Sequence, residues 1–257
     1  MAAILTHVNS AADALGALLL RASLRRFNLD LVLLCGPGGR HPLVRDALRV
    51  AVTYAAQLDD GPPPACLQRL VQFPAGLYLA PNHVAIADLR PTVAVIDARC
   101  GLFVHEVEAD WGEKIPDDPA WGRVAGQRLL KRYNPQCFGW HGRQALDWLN
   151  AWRQIWESTD RNGARDEATL AAMAERQPLA LQPGLLVPAP RRWGEIVEDD
   201  QGGPALVYAG LNGGPDRLDA LACARAWDTP PAWIDAMERM LALLAMGGAV
   251  PADAAAG

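Results

Sequence analysis

The apolar run LDLVLLC, residues 29 to 35, stops abruptly against GPGG, residues 36 to 39. A run of this length bounded by glycine and proline predicts a β-strand that ends in a tight loop. Pro42 then stands where helices begin, and Leu43, Ala47, Val50 and Tyr54 follow at helical spacing. Strand, loop and helix in this order constrain the chain to a fold in which helices cover a sheet.

The rest of the pattern fills in that class. GLYLA (76–80), HVAIAD (83–88), TVAVID (92–97) and LFVHEVEA (102–109) predict a cluster of short strands. From Asp118 to about Arg176 the spacing turns helical, through DPAWGRVAGQRLLKRY, GRQALDWLNAWRQIWES and ARDEATLAAMAER. RWGEIVE (192–198) and ALVYAG (205–210) predict a hairpin across DDQGG, and PPAWIDAMERMLALLAM (230–246) predicts a closing amphipathic helix. The expectation is an α/β or α+β fold: a mixed central sheet flanked by helices, with a helical C-terminal half. One globular domain is expected over residues 1–247, with a soft internal boundary near 118 and a disordered tail over 248–257.

The N-terminal segment MAAILTHVNSAADALGALLLRASLRR predicts an amphipathic helix burying Leu15, Leu18, Leu19 and Ala22. Its apolar stretch contains Asp13, is too short to cross a bilayer, and has its arginines behind it, so neither a signal peptide nor a membrane span is expected. The five cysteines are widely spaced and never form C-x-x-C, which points away from a disulfide framework or zinc ribbon and toward a reducing cytoplasm. A formal net charge of -5 over 257 residues disfavours nucleic acid as a partner of the whole surface.

Acidic residues concentrate in GLFVHEVEADWGEKIP, 101 to 116. If TVAVID and LFVHEVEA form a hairpin over ARCG, Val93 lies opposite Glu106, and Glu106 and Glu108 share a face with Asp97. Two residues apart on one strand, the two glutamates lie roughly 7 Å apart at the backbone, within reach of one hydrated divalent ion.

RPTVAVIDARCGLFVHEVEADWGEKI resembles the core hairpin of the PD-(D/E)xK nuclease superfamily, and within it the nuclease-related domain subgroup. Gly101, Phe103, Val104, Glu106, Val107, Trp111, Gly112 and Ile115 carry the likeness, and the helix expected from Pro119 to Tyr133 fits the order of elements. The resemblance implies Glu106 and Glu108 as catalytic residues and as magnesium ligands, with Asp88 or Asp97 as a third ligand. The sequence departs from the pattern where the family has its first aspartate, here Val93 beside Thr92, and where it has lysine, here Glu108. The chemistry implied is metal-assisted phosphodiester hydrolysis.

Two further features stand apart from that hairpin. The loop CGPGGRHP predicts an anion site at Gly38, Gly39, Arg40 and His41, with turn geometry as the alternative explanation. Trp148, Trp152 and Trp156 recur every four residues and predict an aromatic helix stripe, either core or an interface for a protein partner. The expectation is therefore a cytoplasmic, bacterial-type nuclease-like protein, active or degenerate. Its alternative is a non-enzymatic accessory or immunity-type protein.

Overall fold

A computed structural model describes residues 1–51, 55–57, 67–107, 132–158, 169–170, 173, 181–183, 191–192, 206–208 and 219–246. The chain falls into two compact units whose stretches interleave along the sequence: Met1–Ala2, Pro63–Tyr78 and Thr92–Val187 form one, and Ala3–Pro62, Leu79–Pro91 and Pro188–Gly257 the other. Strands of mixed direction flanked by helices place the protein in the α/β class predicted from sequence.

In the unit that begins at Ala3, three strands lie side by side in the order β3-β2-β1. They are β1 (Ala3–Val8), β2 (Val32–Cys35) and β3 (Ala55–Gln57), all parallel, with Leu5 facing Val32 and Leu33 facing Ala55. Parallel neighbours need a crossover, and α1 (Ala11–Arg25) and α2 (Pro42–Arg49) supply them. The single N-terminal helix expected from sequence is thus a strand followed by a helix. Ser10 separates them: its backbone is extended, and its side chain caps α1 by accepting from the Asp13 N–H. Helix α1 is buried on more than its expected stripe, Leu20 and Leu24 included, because β1, α2, β5 (His83–Ala85) and α7 (Pro231–Ala245) all pack against it.

Helix α2 begins at Pro42 as predicted, but turned from the expected face. Val44, Ala47 and Leu48 are buried, whereas Leu43 is 49% exposed and Val50 40% exposed. A second sheet, in the order β5-β10-β9, joins β5 to β10 (Leu206–Tyr208) and β9 (Arg191–Arg192). Most of the hairpin expected between RWGEIVE and ALVYAG lies outside the described residues; among the described ones β10 runs parallel to β9, with Val207 facing Arg191, and antiparallel to β5. Helices α6 (Ala220–Ala226) and α7 close this unit. Arg21 of α1 donates to Leu29 O at 2.6 Å and Asp30 Oδ1 at 2.8 Å, and its guanidinium lies over the Trp233 ring of α7.

The other unit orders its strands β4-β7-β6-β8: β4 (Ala75–Leu79), β7 (Arg132–His141), β6 (Gly101–Val107) and β8 (Leu181–Pro183). With them go α3 (Leu67–Leu70), α4 (Arg90–Ala98) and α5 (Arg143–Ser158). Its core is aromatic, with Phe138 at 5.1 Å from Tyr78, 5.9 Å from Trp140 and 5.5 Å, edge-on, from Trp152. TVAVID, expected as a strand, lies in α4. Proline in the first helical turn, Asp88 accepting the Arg90 N–H, and a buried Val93/Ile96 pair at helical spacing outweigh the β preference of its valines and isoleucine. Likewise Arg132 and Tyr133, predicted as a helical end, and the NPQ break after them lie in β7, which pairs antiparallel with β6.

Candidate active site at the carboxyl ends of β1 and β2

Open parallel sheets bind ligands in the crevice beyond the carboxyl ends of their strands. Here β1 runs into Asn9-Ser10, and β2 into Gly36-Pro37-Gly38-Gly39-Arg40-His41. The two loops are laced together. Gly36 N donates to Val8 O at 2.9 Å, and Gly38 N donates to Asn9 Oδ1 at 3.2 Å. A Cβ on Gly38 would stand 1.9 Å from Asn9 O, and one on Gly39 would stand 2.3 Å from Val8 O, so this approach requires glycine at both positions.

Behind the loops lies a polar floor. Asp13 Oδ2 accepts the Asn9 N–H at 2.9 Å and sits 3.9 Å from His7 Nε2. Burial lowers the His7 pKa, and the Asp13 carboxylate partly offsets this by raising it. Thr6 is fully buried beside them in sequence, and its hydroxyl has no partner among the described residues. At the rim, burial raises the Cys35 thiol, with the nearby Arg40 guanidinium opposing it.

The predicted anion residues all fall in this mouth, and four of the loop's backbone N–H groups already have acceptors within the protein. Gly36 and Gly38 donate to β1 and Asn9, Arg40 N to Gly36 O and Pro37 O, and His41 N to Gly38 O. Side chains remain. Arg40 is exposed. His41 Nδ1 accepts the Leu43 N–H at 3.3 Å, which leaves the proton on Nε2, a nitrogen with no partner among the described residues. The sequence reading misses His7, Asn9 and Asp13, since it does not see β1; the NSAAD capping pattern was the available signal.

The expected metal hairpin is not assembled. Glu106 lies on β6 opposite Tyr133, with the ladder shifted between Val104 and Glu106, and not opposite Val93. Glu108 lies outside the described residues. Asp88 is taken up by Arg90, whose Nε donates to it at 2.7 Å; that hydrogen bond, more than anything else, lowers the Asp88 pKa. Asp97 is on α4, 3.8 Å from the Met1 amino group. Among the described residues no three His, Cys, Asp or Glu side chains converge on a metal position. Trp148 and Trp152 are buried in the core on α5, where Trp152 Nε1 donates to Thr169 Oγ1 at 2.8 Å, while Trp156 is half-buried. Among the described residues no helix is long and apolar enough to cross a membrane.

No family model matches this sequence, and neither does any curated protein. Solved structures do. The galactosyltransferase LgtC, in complex with donor and acceptor sugar analogs, superposes with a TM-score of 0.50 at 13% identity, covering 91% of this chain and 99% of that one. GlyE, a glycosyltransferase of Streptococcus pneumoniae TIGR4, gives 0.51 at 11% identity, covering 94% of this chain and 63% of its own. The bifunctional glycosyltransferase WbbM gives 0.51 at 10% identity over 93% of this chain, which spans 52% of WbbM. The chain shares the fold of these three structures. This overturns the PD-(D/E)xK resemblance: the motif matched in letters, but its first strand is a helix and its second pairs with β7 and β8. With it go the nuclease and hydrolase expectations.

Proposed function

We propose that this chain transfers a sugar from a phosphate-activated donor to an acceptor hydroxyl. The observation that carries the reading is the likeness to LgtC, which extends over 91% of this chain and 99% of that one. A fold by itself carries no chemistry, so the reading rests equally on the mouth at the carboxyl ends of β1 and β2, where Arg40 is exposed and His41 half-buried. In such a transfer the bond from the anomeric carbon to the phosphate oxygen breaks as the acceptor oxygen bonds to that carbon, and the acceptor's hydroxyl proton passes to the leaving phosphate or to water. Negative charge grows on the leaving phosphate, and Arg40 with His41 Nε2 would stabilise it. Magnesium is a common companion of a diphosphate, but the described acids form no cluster for it, so no step is routed through a metal.

The test is to incubate the purified protein with a panel of nucleoside diphosphate sugars and simple glycan acceptors, with and without magnesium. Mass spectrometry then follows acceptor masses and donor consumption. A product heavier by one sugar residue is expected, with Arg40→Ala slower by about 10- to 100-fold. No product and no donor consumption across the panel would end this reading.

A further inference from the structure

We infer that Asn9 sets which kind of ligand atom the mouth accepts: its side-chain NH2, locked in one orientation, presents a hydrogen-bond donor to an acceptor oxygen of the bound donor molecule. The inference rests on the glycosyl-transfer reading, and it names one chemical requirement of that same site.

An asparagine amide ordinarily can turn over, exchanging its oxygen for its nitrogen. Here it cannot. Gly38 N points at the side chain from 3.2 Å, and an N–H requires the oxygen on that side. The rest of the residue is equally fixed. Its own N–H donates to Asp13 Oδ2 at 2.9 Å, and Asp13 is itself held by its N–H on Ser10 Oγ at 3.1 Å. Its carbonyl oxygen lies against Gly38, where a Cβ would stand 1.9 Å away. That leaves Nδ2 as the one polar atom of the Asn9 side chain with no partner among the described residues, on a half-buried side chain at the end of β1.

A donor of fixed direction selects for acceptors: a phosphate oxygen, a sugar hydroxyl oxygen or a base carbonyl. Replacing Asn9 by Asp preserves the oxygen that receives the Gly38 N–H and exchanges only the outward NH2 for a carboxylate oxygen. Loop geometry and ligand chemistry are thereby separated.

Calorimetric titration of the full chain with the common nucleoside diphosphates, with inorganic pyrophosphate and with the free nucleosides tests this. The last two probes separate a phosphate oxygen from a base or ribose acceptor. At least one probe should bind the wild type, and Asn9→Asp should bind it at least tenfold more weakly. That loss should persist in about 0.5 M salt, where charge repulsion is screened. Asn9→Asp should keep the wild-type unfolding midpoint and slow Gly38 amide exchange, whereas Asn9→Ala should lose both the binding and the slow exchange. Binding by Asn9→Asp within twofold of wild type overturns the inference while leaving glycosyl transfer standing. Binding of no probe by the wild type, with no sugar transferred, overturns both, and Gly38 exchange then still reports whether the loop lock exists. Should Asn9→Ala fail to fold, Asn9→Asp decides.

Discussion

A single methyl group on Gly38 would meet the Asn9 carbonyl oxygen at 1.9 Å, far inside contact distance. Since the obstacle is backbone on both sides, one loop must move. Gly38→Ala is expected to cost about 1–3 kcal/mol, read from urea unfolding, and to weaken any ligand at this mouth. An unchanged midpoint would mean that the two loops are not in contact. His83 offers a second residue-scale prediction. It is fully buried, its Nδ1 lies 3.0 Å from Ala80 O, and burial lowers its pKa to about 4 from the ordinary 6.5. Between those values the unfolded chain holds the extra proton, so stability rises with pH through the window and levels off above it. His7, also lowered, acts in the same direction. Unfolding free energy should therefore fall as pH drops from 6.5 toward 4, by up to about 1 kcal/mol per unit for His83, and His83→Gln should flatten that slope. Equal slopes for the two proteins would contradict the burial argument.

At the scale of elements, α5 is held by Trp152, which fills the space beside Phe138 and donates to Thr169 Oγ1. Trp152→Ala should cost about 3–5 kcal/mol, and Trp152→Phe less, with loss of the hydrogen bond as the remaining part. A near-neutral Trp152→Ala in thermal unfolding would place this tryptophan outside the core. Elements with strong local signals were legible in the sequence: β2 from its apolar run, α2 from Pro42, α5 and α7 from their helical spacing. Those that failed are cases where tertiary context decides. Val93 and Ile96 favour strands in isolation, yet they suit a helix whose one face is buried. β1 was hidden because its six residues run directly into a stronger helical pattern, and with it went Asn9 and Asp13. The glycine loop was legible as a loop after β2, but the use of its Gly36 and Gly38 N–H groups was not, since their acceptors, Val8 O and Asn9 Oδ1, are distant in sequence.

For the whole molecule, the likeness to known glycosyltransferases establishes architecture, and the chemistry depends on whether the mouth of β1 and β2 receives an activated sugar. Acidic letters around Glu106 carried a nuclease pattern because a short motif records residue order and not strand pairing, and β6 pairs elsewhere. The most direct measurement is amide chemical-shift mapping of the isotopically labelled full chain during titration with the nucleoside diphosphate sugars. The largest saturable shifts are expected in Asn9 through Asp13 and Gly36 through His41, with small changes along β6. Saturable shifts centred on β6 around Glu106, with Gly36 to His41 unmoved, would contradict the account.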